Sequence, residues 1–292
     1  MYVVTLLTHP DHPVLERVTM ESLRNAWGGG DAVWLDPGVA AEFPVHDLPA
    51  NQWEVWQALQ PLRVDLIVQP AVGRKQGLLL ADMDSTMIEQ ECIDELADEA
   101  GVGALVAGIT ARAMNGDLDF EAALIERVGL LKGLNAQVID HVIRDRITLM
   151  SGAKVLVATM KAQGSYCALV SGGFTAFTAK IAAVLGFDEN RANTLLVEGG
   201  QVTGQVALPI LGKQAKVDAL QDIAARLGIT PAQALAVGDG ANDLGMLALA
   251  GTGVALHAKP SVAAQCQVRV NHGDLTALLY LQGYAREEFV GV

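Results

Sequence analysis

A chain of 292 residues has room for one large domain or two smaller ones around well-filled cores. Its 33 acidic residues against 20 Lys and Arg, a formal net charge of −13, exclude a nucleic-acid binder, because such affinity rests on clustered basic residues. Hydrophobic residues reach 51% and mean hydropathy is +0.31, yet no uncharged apolar run approaches the roughly 18 residues of a membrane span.

The first segment, residues 1–72, alternates strand and helix as a small α+β sandwich does. Its start, MYVVTLLTHPDHP, lacks the basic stretch and small-residue cleavage site of a signal peptide, so a cytoplasmic protein with no membrane partner is expected. Tyr2–Leu7 is apolar and β-branched and reads as a strand. Val14–Trp27 has helical period and stops at Gly28-Gly29-Gly30. Ala32–Leu35 reads as a strand, Ala50–Gln60 as a helix and Leu62–Val68 as a strand. Gln69–Gly77 carries Pro, Gly and charge, as linkers do.

From residue 77 to 292 the pattern is that of a doubly wound α/β parallel sheet with a helical insertion at about 94–150. Leu78–Leu80 is a short continuous apolar run, suited to a strand buried on both faces. Residues 87–150 are almost wholly helical in character, with no convincing strand. Helix 153–163, strand Cys167–Val170 and helix 174–185 follow, then a hairpin over 194–209 turning at Gly199-Gly200. Helix 213–227, strand Ala234–Val237, helix 242–250 and strands Gly253–Leu256 and Val268–Val270 complete the order. Cys92, Cys167 and Cys266 are far apart and form no C-x-x-C pair, so they read as small buried hydrophobes.

Ligands of open parallel sheets sit beyond the carboxyl ends of the strands. Three strand ends here carry chemistry: Asp82-Met83-Asp84-Ser85-Thr86, Ser171-Gly172-Gly173 and Gly238-Asp239-Gly240-Ala241-Asn242-Asp243. Each precedes a helix start, where free N–H groups favour an anion. Taken singly, D-x-D could be a cap, S-G-G a tight turn and G-D-G-x-N-D an Asx-rich turn. Taken together and in this order they make a phosphate pocket. A carboxylate at the strand end, Asp82, can attack phosphorus and form an aspartyl-phosphate, and Asp84 can then shuttle the proton. Acidic groups beside a phosphate require a cation. Mg2+ suits the Asp82 and Asp239 side chains with the Asp84 carbonyl. Lys216, at a helix start, could hold a phosphate oxygen and fix Asp82, or could simply be solvated.

These residues together resemble the haloacid-dehalogenase-like phosphatases over about residues 77–285. DMDSTMIEQECIDELADEAG is similar to the family's first motif and the helix after it. VSGGF, the lysine of GKQAKVDAL and AVGDGANDLGML are similar to the second, third and fourth. The resemblance implies a Rossmann-like core with a helical cap that closes over substrate, with Asp82 as nucleophile and Asp84 as general acid/base. Ser171, Gly172, Lys216 and Asn242 would hold phosphate, Asp239 the metal, and Asp243 would support from behind. Glu91 matches a glutamate that meets a substrate ammonium, and Arg127 an arginine that pairs with its carboxylate. The small-molecule substrate so implied is O-phospho-L-serine, at the last step of serine biosynthesis. Met114 and Phe120 resemble apolar cap residues, or are plain core.

Residues 1–72 are compatible with an ACT-like βαββαβ domain. THPDHP stands where that fold's glycine-bearing ligand loop would lie, so packing or homodimer formation is expected there rather than amino-acid sensing. Two other functions stay open at this point: phosphatase or phosphotransferase action on a related small ester, and an amino-acid-binding regulator in which the core is incidental.

Overall fold

The computed structural model describes residues 1–114 and 117–291, with the side chain of Met114 outside the described residues. The chain opens with β1 (Tyr2–Leu7), α1 (Arg17–Ala26), β2 (Val33–Asp36), β3 (Ala40–Val45), α2 (Gln52–Leu59) and β4 (Asp65–Pro70). The four strands form an antiparallel sheet in the order β2-β3-β1-β4. Alternation along β1 splits its side chains between two cores. Val4 and Leu6 pack with Met20, Leu23 and Leu59 under the helices, while Leu7 joins the larger core that includes Tyr280.

β3 was not expected, because proline is rare inside a sheet. Its register explains the exception. β2 pairs only with Ala40–Glu42, so Pro44 lies past the end of β2, where no second strand calls for its missing N–H. The segment expected to be a linker is held rather than loose. Arg74 bonds both Glu42 oxygens and the carbonyls of Tyr280 and Leu281.

A second sheet begins with β5 (Leu78–Ala81), every residue of which is fully buried. Four helices intervene, α3 (Cys92–Glu99), α4 (Gly103–Met114), α5 (Phe120–Gly129) and α6 (Gln137–Asp145), before α7 (Ala153–Ala162) and β6 (Tyr166–Phe174). Then come α8 (Thr175–Leu185), β7 (Glu189–Asn193), the hairpin β8 (Leu195–Glu198) and β9 (Gln201–Val206), and α9 (Lys213–Arg226). β10 (Ala234–Gly238), α10 (Leu244–Leu249), β11 (Thr252–Leu256), α11 (Pro260–Ala263), β12 (Val268–Val270) and α12 (Ala277–Leu281) finish the fold. The six strands are parallel in the order β12-β11-β10-β5-β6-β7.

The hairpin turns at Gly199 and Gly200 as expected, both at positive φ, as a two-residue turn of the primed kind requires. β7, sequence ENRAN, was missed because it is charged. An edge strand tolerates such residues where a central one does not. No helix among the described residues is long and apolar enough to cross a membrane.

Strand order positions the site. β5 has β10 on one side and β6 on the other, so the chain leaves β5 in opposite directions and opens a crevice at their carboxyl ends. The Asp82 N–H still bonds the Val237 carbonyl at 3.0 Å, which sets Asp82 on the lip of that crevice.

Candidate active site

The chain after β5 turns at once. The N–H groups of Thr86, Met87 and Ile88 all converge on the Met83 carbonyl, and Ser85 takes a left-handed φ of 55°. Met83 and Met87 are driven fully inside, which leaves the two aspartates of the D-x-D pair at the crevice. The Asp82 Oδ1 atom accepts the Met83 N–H at 2.8 Å. Asp84 is bound on both oxygens, Oδ1 by the Cys92 N–H at 2.8 Å and Oδ2 by the Ser171 hydroxyl at 3.0 Å. The first and second strand ends therefore meet, as their spacing implied. No Cβ fits on Gly173: one placed there would lie 2.8 Å from Asp84 Oδ2.

Lys216, in the second turn of α9, is 2% exposed. Its ammonium stands 2.6 Å from Asp82 Oδ1 and 2.6 Å from Asp243 Oδ1. Asp243 in turn accepts the Gly240 N–H on Oδ2 at 3.0 Å, which closes the Gly238–Asp243 loop on itself. Burial alone would push the lysine towards neutrality, but the two carboxylates more than reverse this and its pKa is raised. Lys216 therefore stays charged, and the solvated reading of that lysine is excluded.

Asp239 lies beside this pair with the Thr86 hydroxyl donating to its Oδ1 at 3.3 Å. Asp82, Asp239 and Asp243 each bring a carboxylate oxygen within 4.8 Å of the others. Burial, and then the Asp243 charge, raise the Asp82 carboxyl well above the usual range; burial and Asp243 likewise raise Asp239. Three carboxylates face a single buried ammonium, so the cluster holds surplus negative charge. An all-oxygen set of this kind fits a hard divalent cation. Asp243 is bonded on both oxygens, to Lys216 and Gly240, whereas Asp82 and Asp239 each keep Oδ2 without a hydrogen bond among the described residues. Those two are therefore the carboxylates with an oxygen to spare. Asn242 is half-buried in the same loop, its side chain crowded against Gly240.

The two expected recognition residues are near enough to act on each other's charge, and Glu91 also feels Asp84. Glu91 stands at the N-terminal boundary of α3 without a side-chain bond to the helix, and accepts the Ser85 hydroxyl at 2.7 Å. Its side chain reaches solvent at the mouth, yet the protein mass around the carboxyl, and then the Asp84 charge, push its pKa up to about 7. Arg127, on α5, is half-buried and reaches the Ala123 carbonyl at 3.2 Å. Burial lowers its pKa, opposed by Asp94 and Glu91 nearby. Its guanidinium forms no ion pair with a carboxylate among the described residues. Phe120, at the start of the same helix, spans the crevice: a Cβ on Gly172 would lie 3.1 Å from its ring and one on Gly212 3.4 Å.

Two contributors escaped the sequence reading. Thr86 steadies Asp239, and Ser85 steadies Glu91; both sit in the D-M-D-S-T stretch, where position in the turn was the available signal.

Residues 79–248 match the family model for haloacid dehalogenase-like hydrolases. The chain is 47% identical over 205 residues to the phosphoserine phosphatase of Haemophilus influenzae, a match covering 70% of this chain but only 65% of that protein's own length. A solved HAD family hydrolase from Salmonella enterica serovar Typhi superposes with a TM-score of 0.83 at 33% identity, covering 96% of this chain and 98% of that one. A probable phosphoserine phosphatase from Vibrio cholerae, in unliganded form, gives 0.78 at 34% identity, covering 98% and 87%. With more than half its length matched by the family model, and a site built on the three strand ends, the chain belongs to the haloacid dehalogenase-like hydrolase family.

Proposed function

We propose that the protein hydrolyses O-phospho-L-serine to L-serine and phosphate in the cytoplasm, as the last step of serine biosynthesis. The observation that carries this is a charge pair beside Asp84: a glutamate free of any ion-pair partner and an arginine free of any, among the described residues, each close enough to feel the other or the D-x-D pair. Such a pair is complementary to an ammonium and a carboxylate on one small molecule. The names of the relatives support the same substrate.

Asp82 attacks phosphorus as the bond to the serine oxygen breaks, and Asp84 gives its proton to the leaving alkoxide. The serine departs and leaves an aspartyl-phosphate on Asp82. Asp84, now a base, takes a proton from water as that water attacks phosphorus, which frees phosphate and restores Asp82. Ser171, the Gly172 N–H, Lys216 and Asn242 hold the phosphoryl oxygens through both steps. Mg2+ held by Asp82, Asp239 and the Asp84 carbonyl, with Asp243 behind, would supply positive charge that offsets carboxylate–phosphate repulsion. Phe120 and the helices at about 94–150 exclude bulk water during the first transfer.

The same reading divides the chain at residues 1–72 and 77–292, the first part ACT-like. Copies pair through that part, where α1 and α2 leave an apolar groove of about 340 Å³ lined by Val18, Leu23, Val55 and Leu59. Light scattering on Val18→Glu tests the pairing.

Phosphate release from phosphoserine, phosphoethanolamine and a sugar phosphate, with and without Mg2+, tests the function. Phosphoserine is expected to lead, and Arg127→Lys to raise its KM by about tenfold while sparing phosphoethanolamine, because the guanidinium fork is lost. Equal rates across the panel would remove the amino-acid assignment.

A further inference from the structure

Asn193, the last residue of β7, is 2% exposed and lies outside the strand-end motifs. All three hydrogen bonds of its side-chain amide go to backbone. Nδ2 donates to the Gly172 carbonyl at 2.9 Å and to the Leu211 carbonyl at 3.2 Å, and Oδ1 accepts the Leu211 N–H at 2.7 Å. A buried amide with both donors used and its oxygen bonded specifies one geometry of what it holds.

What it holds are the two arms of the phosphate cradle. Gly172 belongs to the Ser171-Gly172-Gly173 arm, and Leu211 precedes Gly212, the N-cap of the helix that carries Lys216. The Gly172 carbonyl and Gly173 N–H share one peptide plane, so gripping the first aims the second. That N–H donates to Ser171 Oγ at 2.8 Å, and Ser171 Oγ donates to Asp84 Oδ2. A continuous chain of hydrogen bonds thus runs from Asn193 through the Gly172–Gly173 peptide and Ser171 to the carboxylate assigned as acid/base. On its other side the amide fixes where α9 begins, and with it Lys216.

We propose that Asn193 is a positioning residue that sets the spacing between the Ser171/Gly172 arm and the Lys216 arm, and so the fit of a tetrahedral phosphoryl group between them. This rests on the phosphatase reading above. The Phe120 ring packs against both glycines that flank the gap, Gly172 and Gly212, so its width is also the seat on which the cap closes.

The test compares wild-type protein with Asn193→Asp and Asn193→Ala as full chains with Mg2+. Asn193→Asp keeps the acceptor for the Leu211 N–H but sets an oxygen against two carbonyls; Asn193→Ala removes all three bonds. Orthophosphate binding by calorimetry is read beside kcat and KM on phosphoserine and the thermal midpoint. A cradle out of register by about an ångström loses roughly a hundredfold in kcat. Orthophosphate affinity is expected to fall at least about tenfold in both variants, equivalent to about 1.4 kcal/mol of binding. A tie that only stabilises the fold lowers the midpoint but leaves phosphate affinity and kcat per folded molecule unchanged, and that result overturns the proposal. Should neither variant fold, Asn193→Ser is read in the same way, and failure of all three assigns Asn193 to stability alone. Wild-type protein that neither binds orthophosphate nor hydrolyses phosphoserine removes the phosphatase reading itself; an active wild type with unaltered variants removes only this one.

Discussion

Lys216 stands 2.6 Å from the Asp82 carboxylate with both side chains almost wholly buried. The ammonium has three donors, and Asp243 takes another at the same distance. The lysine therefore does two things at once. It offsets part of the burial that raises the Asp82 carboxyl at the strand end, and it locks the Gly238–Asp243 loop to the nucleophile. Removing a single partner from such a buried set leaves uncompensated charge, which costs about 3–5 kcal/mol.

Lys216→Met is expected to lose stability on that scale and to lower kcat by about a hundredfold or more, since a charge-stabilising donor is gone. The stability loss should shrink in acid, where the Asp82 carboxyl, raised by burial, is neutralised. Urea unfolding at acidic and neutral pH reads both effects. A deficit independent of pH would argue that the lysine contributes packing alone.

The acidic cluster makes stability depend on pH and metal together. Asp82 and Asp239 have folded pKa values raised by burial above the unfolded ones. Their contribution to stability is thus fullest below the ordinary carboxylate range and is lost as pH rises through the raised values. A divalent cation binds the ionised forms and reverses the trend, adding about 2.7 kcal/mol at a hundred times its Kd. Chelation should therefore lower the thermal midpoint more in alkali than in acid, and abolish turnover. An equal midpoint with and without chelator at alkaline pH would contradict the metal assignment.

Glu91 provides a second pH handle with a different readout. Its carboxyl, raised to about 7, meets the substrate ammonium only when ionised. The kcat/KM for phosphoserine should rise with pH through about 7 and then level off, reporting the free enzyme. In Glu91→Gln this limb is expected to vanish and kcat/KM to drop by about ten- to a hundredfold, as for one lost charge-assisted contact. A phosphomonoester without an amine serves as control, since its profile should not change between the two proteins.

What was legible in the amino-acid order follows from how local each signal is. Asp82, Asp84 and Asp239 follow the ends of their strands, Ser171 lies near the end of β6 and Lys216 in the first residues of α9. Those places are marked by a change of hydrophobic period and, for Ser171, Asp239 and Lys216, by nearby glycine. β5 was legible because burial on both faces demands an unbroken apolar run. β3 and β7 were not, since Pro44 and the charged ENRAN stretch are tolerated only through neighbours that lie elsewhere in the chain. Asn193 was invisible for the same reason. An asparagine at a strand end has no local mark that separates a solvated amide from one bonded 18 and 21 residues away. Nor did the motif show that Asp243, expected behind the metal, also takes the Lys216 ammonium at 2.6 Å.

The junction between the two sheets gives a last prediction, in which sign decides. Asp65, first residue of β4, is fully buried and accepts N–H groups from Asn271, His272 and Gly273 at 2.9, 2.9 and 2.8 Å. Those three bonds favour its ionised form, but burial outweighs them and its pKa is raised. Asp65→Ala leaves three buried donors without a partner, a cost of about 2–4 kcal/mol after partial rehydration. A carboxylate holding three N–H groups suggests, at first sight, a gap between wild type and variant that grows with pH. The raised pKa says the reverse. Wild-type stability from Asp65 is fullest near pH ~4 and declines as pH rises through the folded value, while the alanine has nothing to titrate. The gap measured by urea unfolding should therefore be wider near pH ~4 than near pH ~7. If it widens towards neutrality instead, the N–H bonds outweigh burial and Asp65 is held as an anion.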